Sequence, residues 1–179
     1  LKHGERYNIT LRAGIPSTVK ETLAKSAEFN IYVRDRKPLV RFTGKAYVLP
    51  RTGQRGIPVV SVNTPGVTIQ IYRIGDRNLI DAVHSDEGLS QLGGTAAGQI
   101  ETDKGASVWK GTMDAKPELN KDVVTAFPVI EAVGKLEPGV YVMFAKPVGV
   151  KKSTDDGDYE DTRATQWFVV SDLGLTSFS

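Results

Sequence analysis

The sequence has no cysteine in its 179 residues. A disulfide, a cysteine-ligated metal cluster and a thiol nucleophile are therefore excluded within this chain. Secreted eukaryotic modules often carry disulfides, so the absence points towards a bacterial protein, cytosolic or periplasmic. Histidine is almost as scarce. His3 and His84 are the only two; they show no metal-ligand spacing and read as surface residues. No plausible Ser-His-Asp order exists, so nucleophilic catalysis has no visible basis. The expectation is a chain that is not an enzyme, with no catalytic, cofactor-binding or metal residues and no cofactor. No stretch reaches ~18 consecutive apolar residues, so nothing reads as a membrane-spanning helix. Charge of one sign is also missing. Lys and Arg number 23 against 21 Asp and Glu, a net charge of +2, and the two signs are interleaved. A nucleic-acid partner, which needs a basic face, is not expected. The opening Leu1 to Arg12 has no apolar core of the signal-peptide type and reads as the middle of a strand. This leads to the expectation of a piece cut from a longer extracytoplasmic protein.

What is present is period-two alternation. Tyr7, Ile9 and Leu11 alternate with Asn8, Thr10 and Arg12. Phe29, Ile31 and Val33 alternate with Asn30, Tyr32 and Arg34, and Val67, Ile69 and Ile71 with Thr68, Gln70 and Tyr72. Such runs are half-buried antiparallel strands. Val140 to Ala145 and Thr165 to Val170 are apolar on both faces, as central strands would be. Further strands are expected at 40–42, 45–49, 59–62, 107–113 and 123–127. Helical signal is thin: Asp76 opens a turn containing Leu79, Ile80 and Val83, and Ile130, Val133 and Leu136 have helical spacing after Pro128. Turns fall at Thr52-Gly53, Thr64-Pro65-Gly66, Gly93-Gly94, Pro138-Gly139 and Asp156-Gly157. Many short strands between such turns predict an all-β fold, an antiparallel sandwich or barrel with little helix.

A weak repeat sharpens the organisation. Leu136-Glu137-Pro138-Gly139-Val140-Tyr141 has the form of a tyrosine corner, in which the phenol bonds back to the backbone where the chain crosses between sheets. Leu1 to Tyr7 has a similar pattern with one more residue before the tyrosine. Each corner is followed by a strand, a polar loop and a second strand. In a sandwich of this type those are the last two strands. Residues 1–36 are therefore expected to be the closing strands of a preceding domain, 37–172 one complete sandwich, and 173–179 a linker to the next. The competing organisation is a single larger sheet system. On the first reading, Phe29, Ile31 and Val33 need a partner surface.

Several stretches resemble sites of known chemistry in composition. Asp155-Asp156-Gly157-Asp158-Tyr159-Glu160-Asp161 is densely acidic, but lacks the alternating ligands and terminal Glu of a calcium loop, and reads as a solvated hairpin loop. Gly93-Gly94-Thr95-Ala96-Ala97-Gly98 lacks the Lys-Ser/Thr of a phosphate loop and reads as a mobile loop. Arg34-Asp35-Arg36-Lys37 and Arg51-Thr52-Gly53-Gln54-Arg55 are basic loops without an interleaved aromatic platform. Asn8-Ile9-Thr10 is a glycosylation sequon inside a strand. Trp109, Trp167, Phe127 and Phe168 lie in strand patterns, so core packing is expected over a sugar platform.

The run Lys45-Ala46-Tyr47-Val48-Leu49-Pro50-Arg51-Thr52-Gly53-Gln54-Arg55-Gly56-Ile57-Pro58-Val59, followed by Val62-Asn63-Thr64, resembles the bacterial alpha-2-macroglobulin family. So do Tyr72-Arg73-Ile74-Gly75-Asp76-Arg77-Asn78-Leu79, Val108-Trp109-Lys110-Gly111, Glu118-Leu119-Asn120-Lys121-Asp122 and Gln166-Trp167-Phe168-Val169-Val170-Ser171-Asp172-Leu173-Gly174-Leu175-Thr176. Leu11-Arg12-Ala13-Gly14-Ile15-Pro16 fits the end of the preceding domain in that family. The resemblance implies a macroglobulin-like, fibronectin-III-like β-sandwich within a large multidomain protein. It implies a periplasmic location, often with a lipid anchor in the inner membrane, and an endopeptidase-inhibitor function in which the full-length protein traps proteases. The implied partners are neighbouring macroglobulin-like domains, host or competitor proteases and a peptidoglycan synthase. The family's thioester needs a cysteine, which this chain lacks, so none of the family's functional residues carries over and the implied role is structural. The alternative is a fibronectin-like binding or adhesion module of a secreted or surface protein.

Overall fold

The computed structural model describes residues 1–44, 46–49, 56–84, 90–150 and 163–171; for 46, 47 and 81–84 it describes the backbone alone. The chain divides into two compact units, Leu1–Lys37 and Pro38–Ser179.

The first unit is a two-stranded antiparallel ribbon of β1 (Arg6–Leu11) and β2 (Ala27–Tyr32). Pairing of Tyr7 with Ile31, Ile9 with Phe29 and Leu11 with Ala27 puts the alternating apolar residues on one face. Phe29 remains 50% exposed and Ile9 39%. Tyr7 makes a contact of a different kind from the expected corner: its hydroxyl accepts the Lys2 N–H at 2.6 Å and donates to the Glu5 carboxylate at 2.9 Å.

The second unit contains β3 (Leu39–Phe42), β4 (Ala46–Leu49), β5 (Ile57–Val62), β6 (Gly66–Ile74), α1 (Asp76–His84) and α2 (Gly94–Gln99). A π-helical turn at Ile100–Lys104 leads into β7 (Gly105–Asp114), β8 (Val123–Phe127), α3 (Val129–Val133), β9 (Gly139–Pro147) and β10 (Ala164–Val170). One sheet has the order β4-β10-β9-β6-β7 and the other β3-β5-β8. The main core lies between them. Ile57 and Val59 of β5 and Phe127 of β8 meet Ile69 and Ile71 of β6, Tyr141 and Met143 of β9 and Phe168 of β10. Tyr141 stacks on Phe168 with ring centroids 5.1 Å apart. At the edge strand β7, Trp109 packs on Phe127 across the gap, centroids 5.1 Å apart. Its ring lies over Gly111, where a Cβ would come within 2.5 Å of it.

Each of the ten expected strands forms, six of them one to three residues longer than the sequence pattern marks. The helices at Asp76 and after Pro128 also form. Three features differ from the sequence reading. First, β4 pairs with β10 in parallel, Ala46 opposite Trp167 through Leu49 opposite Val170. The run from Leu39 to Leu49 bends at Thr43, and its first half pairs with β5 in the other sheet. A strand that changes sheets at a bend is a known way to make a sandwich corner. Second, the register between β6 and β7 shifts at Ile71/Tyr72: Ile71 faces Trp109 but Tyr72 faces Ser107. Val108 is the extra residue of a bulge, and the shift lets the strand continue to Gly105.

Third, the glycine-rich stretch 93–98 is not a mobile loop. Gly94–Gln99 is helical, and Ala97 donates to the Gly93 carbonyl at 3.0 Å. Ala97 is fully buried in a second cluster with Leu92, Ile100, Tyr72, Val142, Phe144 and Trp167. Tertiary burial of one face outweighs the poor helix propensity of glycine.

The tyrosine corner at Tyr141 is present: its hydroxyl donates to the Glu137 carbonyl at 2.6 Å. Burial pushes its pKa above the usual value near 10, against the lowering effect of Arg73. The folded state thus holds this proton more tightly than the unfolded chain. The stabilisation is complete below about pH 10 and is lost as pH rises through the folded pKa. Tyr141→Phe is expected to cost about 1–2 kcal/mol at pH 7, the net value of one hydrogen bond to a shielded carbonyl. Urea unfolding at pH 7 and above pH 10 should show that gap narrowing in alkali. Gly56 is the other backbone constraint. Its φ is +108°, and a Cβ there would sit 2.3 Å from the Phe127 carbonyl oxygen. Gly56→Ala is expected to lose about 3 kcal/mol from backbone strain plus overlap. Gly134→Ala, at φ +82° with nothing within 4 Å, should lose only the strain of about 1 kcal/mol, as read by thermal unfolding.

Candidate functional site

Among the described residues no group of three or more His, Cys, Asp or Glu could hold a metal ion. His3 is exposed and its Nδ1 lies 2.9 Å from the Arg34 carbonyl within the first unit. For His84 only the backbone is described, at the end of α1. The acidic run Asp155 to Asp161 and the basic loop Arg51 to Arg55 lie outside the described residues. Arg34 to Lys37 forms no regular element, and Asn8-Ile9-Thr10 is part of β1. The four aromatics weighed as a platform are dispersed. Phe168 and Phe127 point into the core between the sheets, with Trp109 at its edge, whereas Trp167 lies in the second cluster.

Polar chemistry concentrates instead where the helical segment covers the outer face of the five-stranded sheet. The residues just before α2 clasp β10. The Trp167 indole N–H donates to the Ser90 carbonyl at 3.0 Å. The Leu92 N–H donates to Thr165 Oγ1 at 3.3 Å. The Gln91 carboxamide donates from Nε2 to the Arg163 carbonyl at 2.7 Å and accepts the Thr165 N–H at Oε1 at 3.0 Å. After α2, the Glu101 carboxylate pairs with the Arg163 guanidinium at 2.9 Å. That guanidinium lies 5.2 Å from the centre of the Phe144 ring, within cation–π range. Tyr72 sits beside this pair, 5.8 Å from Phe144 between ring centres. Burial and then the Glu101 charge raise its pKa, and Arg163 lowers it.

This arrangement fastens one layer to another. Among the described residues it pairs donors on one layer with acceptors on the other. Of its members the sequence drew attention to Trp167 only as a core aromatic, and to Gln91, Glu101 and Arg163 not at all. Gln91 is 72 and 74 residues from the two groups it bonds, and no motif or periodicity marks such a pair.

Comparison with known proteins gives the arrangement its context. A model of the family described as "Bacterial alpha-2 macroglobulin MG2 domain" matches residues 41–168. The chain belongs to this family. The match lies wholly within the second unit, takes in β4 to β9 whole and parts of β3 and β10, and includes the clasp. The curated alpha-2-macroglobulin of Xylella fastidiosa (strain 9a5c) is 28% identical, with 96% of this chain and 10% of the relative covered. That of Escherichia coli (strain K12) is 21% identical over 94% of this chain and 10% of the relative. The chain thus spans about a tenth of the length of these relatives.

Among solved structures, a Salmonella alpha-2-macroglobulin mutant superposes with a TM-score of 0.63 at 22% identity, covering 97% of this chain and 9% of that one. A native E. coli alpha-2-macroglobulin fragment spanning domains MG0-NIE-MG1 gives 0.55 at 20% identity, covering all of this chain and 54% of the fragment. At these identities the likeness establishes the macroglobulin fold, and the second structure carries adjacent domains on one chain.

The Arg163–Glu101 pair is 10% and 27% exposed at its two side chains, so solvent screens it only in part. A double-mutant cycle on Arg163→Met and Glu101→Met is expected to give a coupling of about 1–2 kcal/mol in urea unfolding. The solvated Glu118–Lys121 pair, 62% and 71% exposed, should give a coupling indistinguishable from zero in the same assay.

Proposed function

We propose that the chain is a structural, non-enzymatic macroglobulin-like module of a bacterial periplasmic endopeptidase inhibitor of the alpha-2-macroglobulin type, in which protease trapping belongs to the full-length protein. The observation that carries this reading is the family match across residues 41–168, on a fold in which the clasp residues bond one of its own layers to another. The absence of cysteine supports placing the family's thioester chemistry elsewhere in the parent. The first unit is read as the closing strands of a preceding macroglobulin-like domain. Its antiparallel pairing supports this, because β9 and β10 repeat the same order after Tyr141. On this reading the partners are the neighbouring domains of the same chain, the proteases that the full-length protein meets, and a peptidoglycan synthase working beside it. The parent sits in the periplasm on a lipid anchor.

The test is a trypsin titration read with a protein substrate. This chain in tenfold molar excess is expected to leave trypsin activity unchanged, whereas the full-length parent lowers it. A parent lacking residues 37–172 should lose the inhibition. Stoichiometric inhibition by the 179-residue chain would contradict a purely structural role, and an inactive full-length parent would remove the inhibitor assignment.

A further inference from the structure

The segment between the clasp and β7 stands apart from the main core. No residue of 94–103 belongs to the cluster between the two sheets. Its two buried residues, Ala97 and Ile100, belong to the second cluster with Tyr72, Val142, Phe144 and Trp167, and Ala96 packs against that cluster. The segment also has little of its own to keep it folded. α2 is six residues long, two of them glycine, and isolated helices below about 12 residues are marginal in water even when rich in alanine. Gly93, its N-cap, makes no side-chain bond to the first turn, so the usual capping contribution is missing. Docking is what keeps the segment helical.

Both ends are anchored, and both carry a pivot. Before the segment, Gln91 and Leu92 bond to Thr165 of β10, and the backbone freedom of Gly93-Gly94 follows. After it, the Lys104 carbonyl accepts the Gly75 N–H at 3.3 Å, and Gly105 begins β7. A Cβ at Gly105 would lie 2.8 Å from the Ile100 carbonyl oxygen and 2.9 Å from Ile100 Cγ2. Glycine there is what lets the segment close down at this end. Between the anchors, Glu101 pairs with Arg163 at 2.9 Å and ties the segment to the residue that precedes β10. Undoing that pair and the burial of Ala97 and Ile100 frees the segment and leaves the core between the sheets whole.

We infer that residues 94–103 are a hinged lid over the aromatic outer face of the five-stranded sheet, one that lifts and melts as a unit while the sandwich stays folded. Amide hydrogen exchange on this chain in low concentrations of urea tests it. The reporters are the Ala97, Ile100 and Gly105 amides, which donate to carbonyls at Gly93, at Ala96 and Ala97, and at Ile100. They are expected to share one opening free energy with a weak urea dependence, because lifting the lid exposes little surface. The amides between β9 and β10 are expected to open only with the steep urea dependence of global unfolding. Two variants separate the lid from the sandwich. Ile57→Val, in the main core, should speed exchange between β9 and β10 about fivefold and leave the three lid amides unchanged. Gly98→Ala, at a helical position where a Cβ meets nothing within 4 Å, should slow the lid amides about fivefold through helix propensity. Lid amides that follow the steep urea dependence of β9, or that speed up with them in Ile57→Val, would overturn the inference. So would three unrelated opening energies, which signal end fraying, or lid exchange unmoved by Gly98→Ala.

Discussion

The constraint on which the rest depends is a sheet with two apolar faces. Along β9, Tyr141, Met143 and Ala145 belong to one buried cluster and Val142 and Phe144 to the other. Along β10, Phe168 and Trp167 divide in the same way. Neither face can be left in water, because each carries large side chains worth roughly 1.5–3 kcal/mol apiece on burial. Two covers are required. The three-stranded sheet is one, and the helical stretch between β6 and β7 is the other.

The two covers are attached by different physics. The three-stranded sheet packs across the core, with the Tyr141 phenol fixing the corner where the chain returns to the central sheet. Among its described residues the helical cover packs Leu79, Leu92, Ala96, Ala97 and Ile100 onto the sheet. It is short and rich in glycine, so its intrinsic stability in water is small. The clasp on β10 supplies what packing does not. It also bonds main-chain groups directly, the Thr165 N–H of β10 and the Arg163 carbonyl just before it, so the bonds that dock the cover also satisfy backbone groups. The bend at Thr43 separates β3, which pairs with β5, from β4, which pairs with β10.

Much of this architecture was readable in advance, for a local reason. Strand patterning, alternating in some runs and apolar on both faces in β9 and β10, is set within five or six residues, and the ten strands follow from such short windows. The Tyr141 corner was readable because donor and acceptor are four residues apart. The stretch 93–98 was misread for the complementary reason: glycine and alanine carry no pattern that reveals burial, and Ala97 is buried only because a sheet face is there to receive it. Gln91, Glu101 and Arg163 carried no legible sign, since a polar residue in a turn-rich segment looks the same whether it is solvated or bonded to a distant strand.

The sequence by itself determined the strand set, the all-β class, the exclusion of cysteine chemistry and, through its resemblance to relatives, the family. All of these are properties of short windows or of composition. The tertiary structure decided which strand lies beside which, that one run serves two sheets, and that the central sheet is covered on both sides. It alone assigned a bonding role to Gln91. Those features depend on contacts between groups separated by 70 or so residues, at 72 and 74 for this amide and 77 for the Trp167 indole. At such separations no periodicity survives, and only the closing of the sandwich brings the partners within hydrogen-bonding distance.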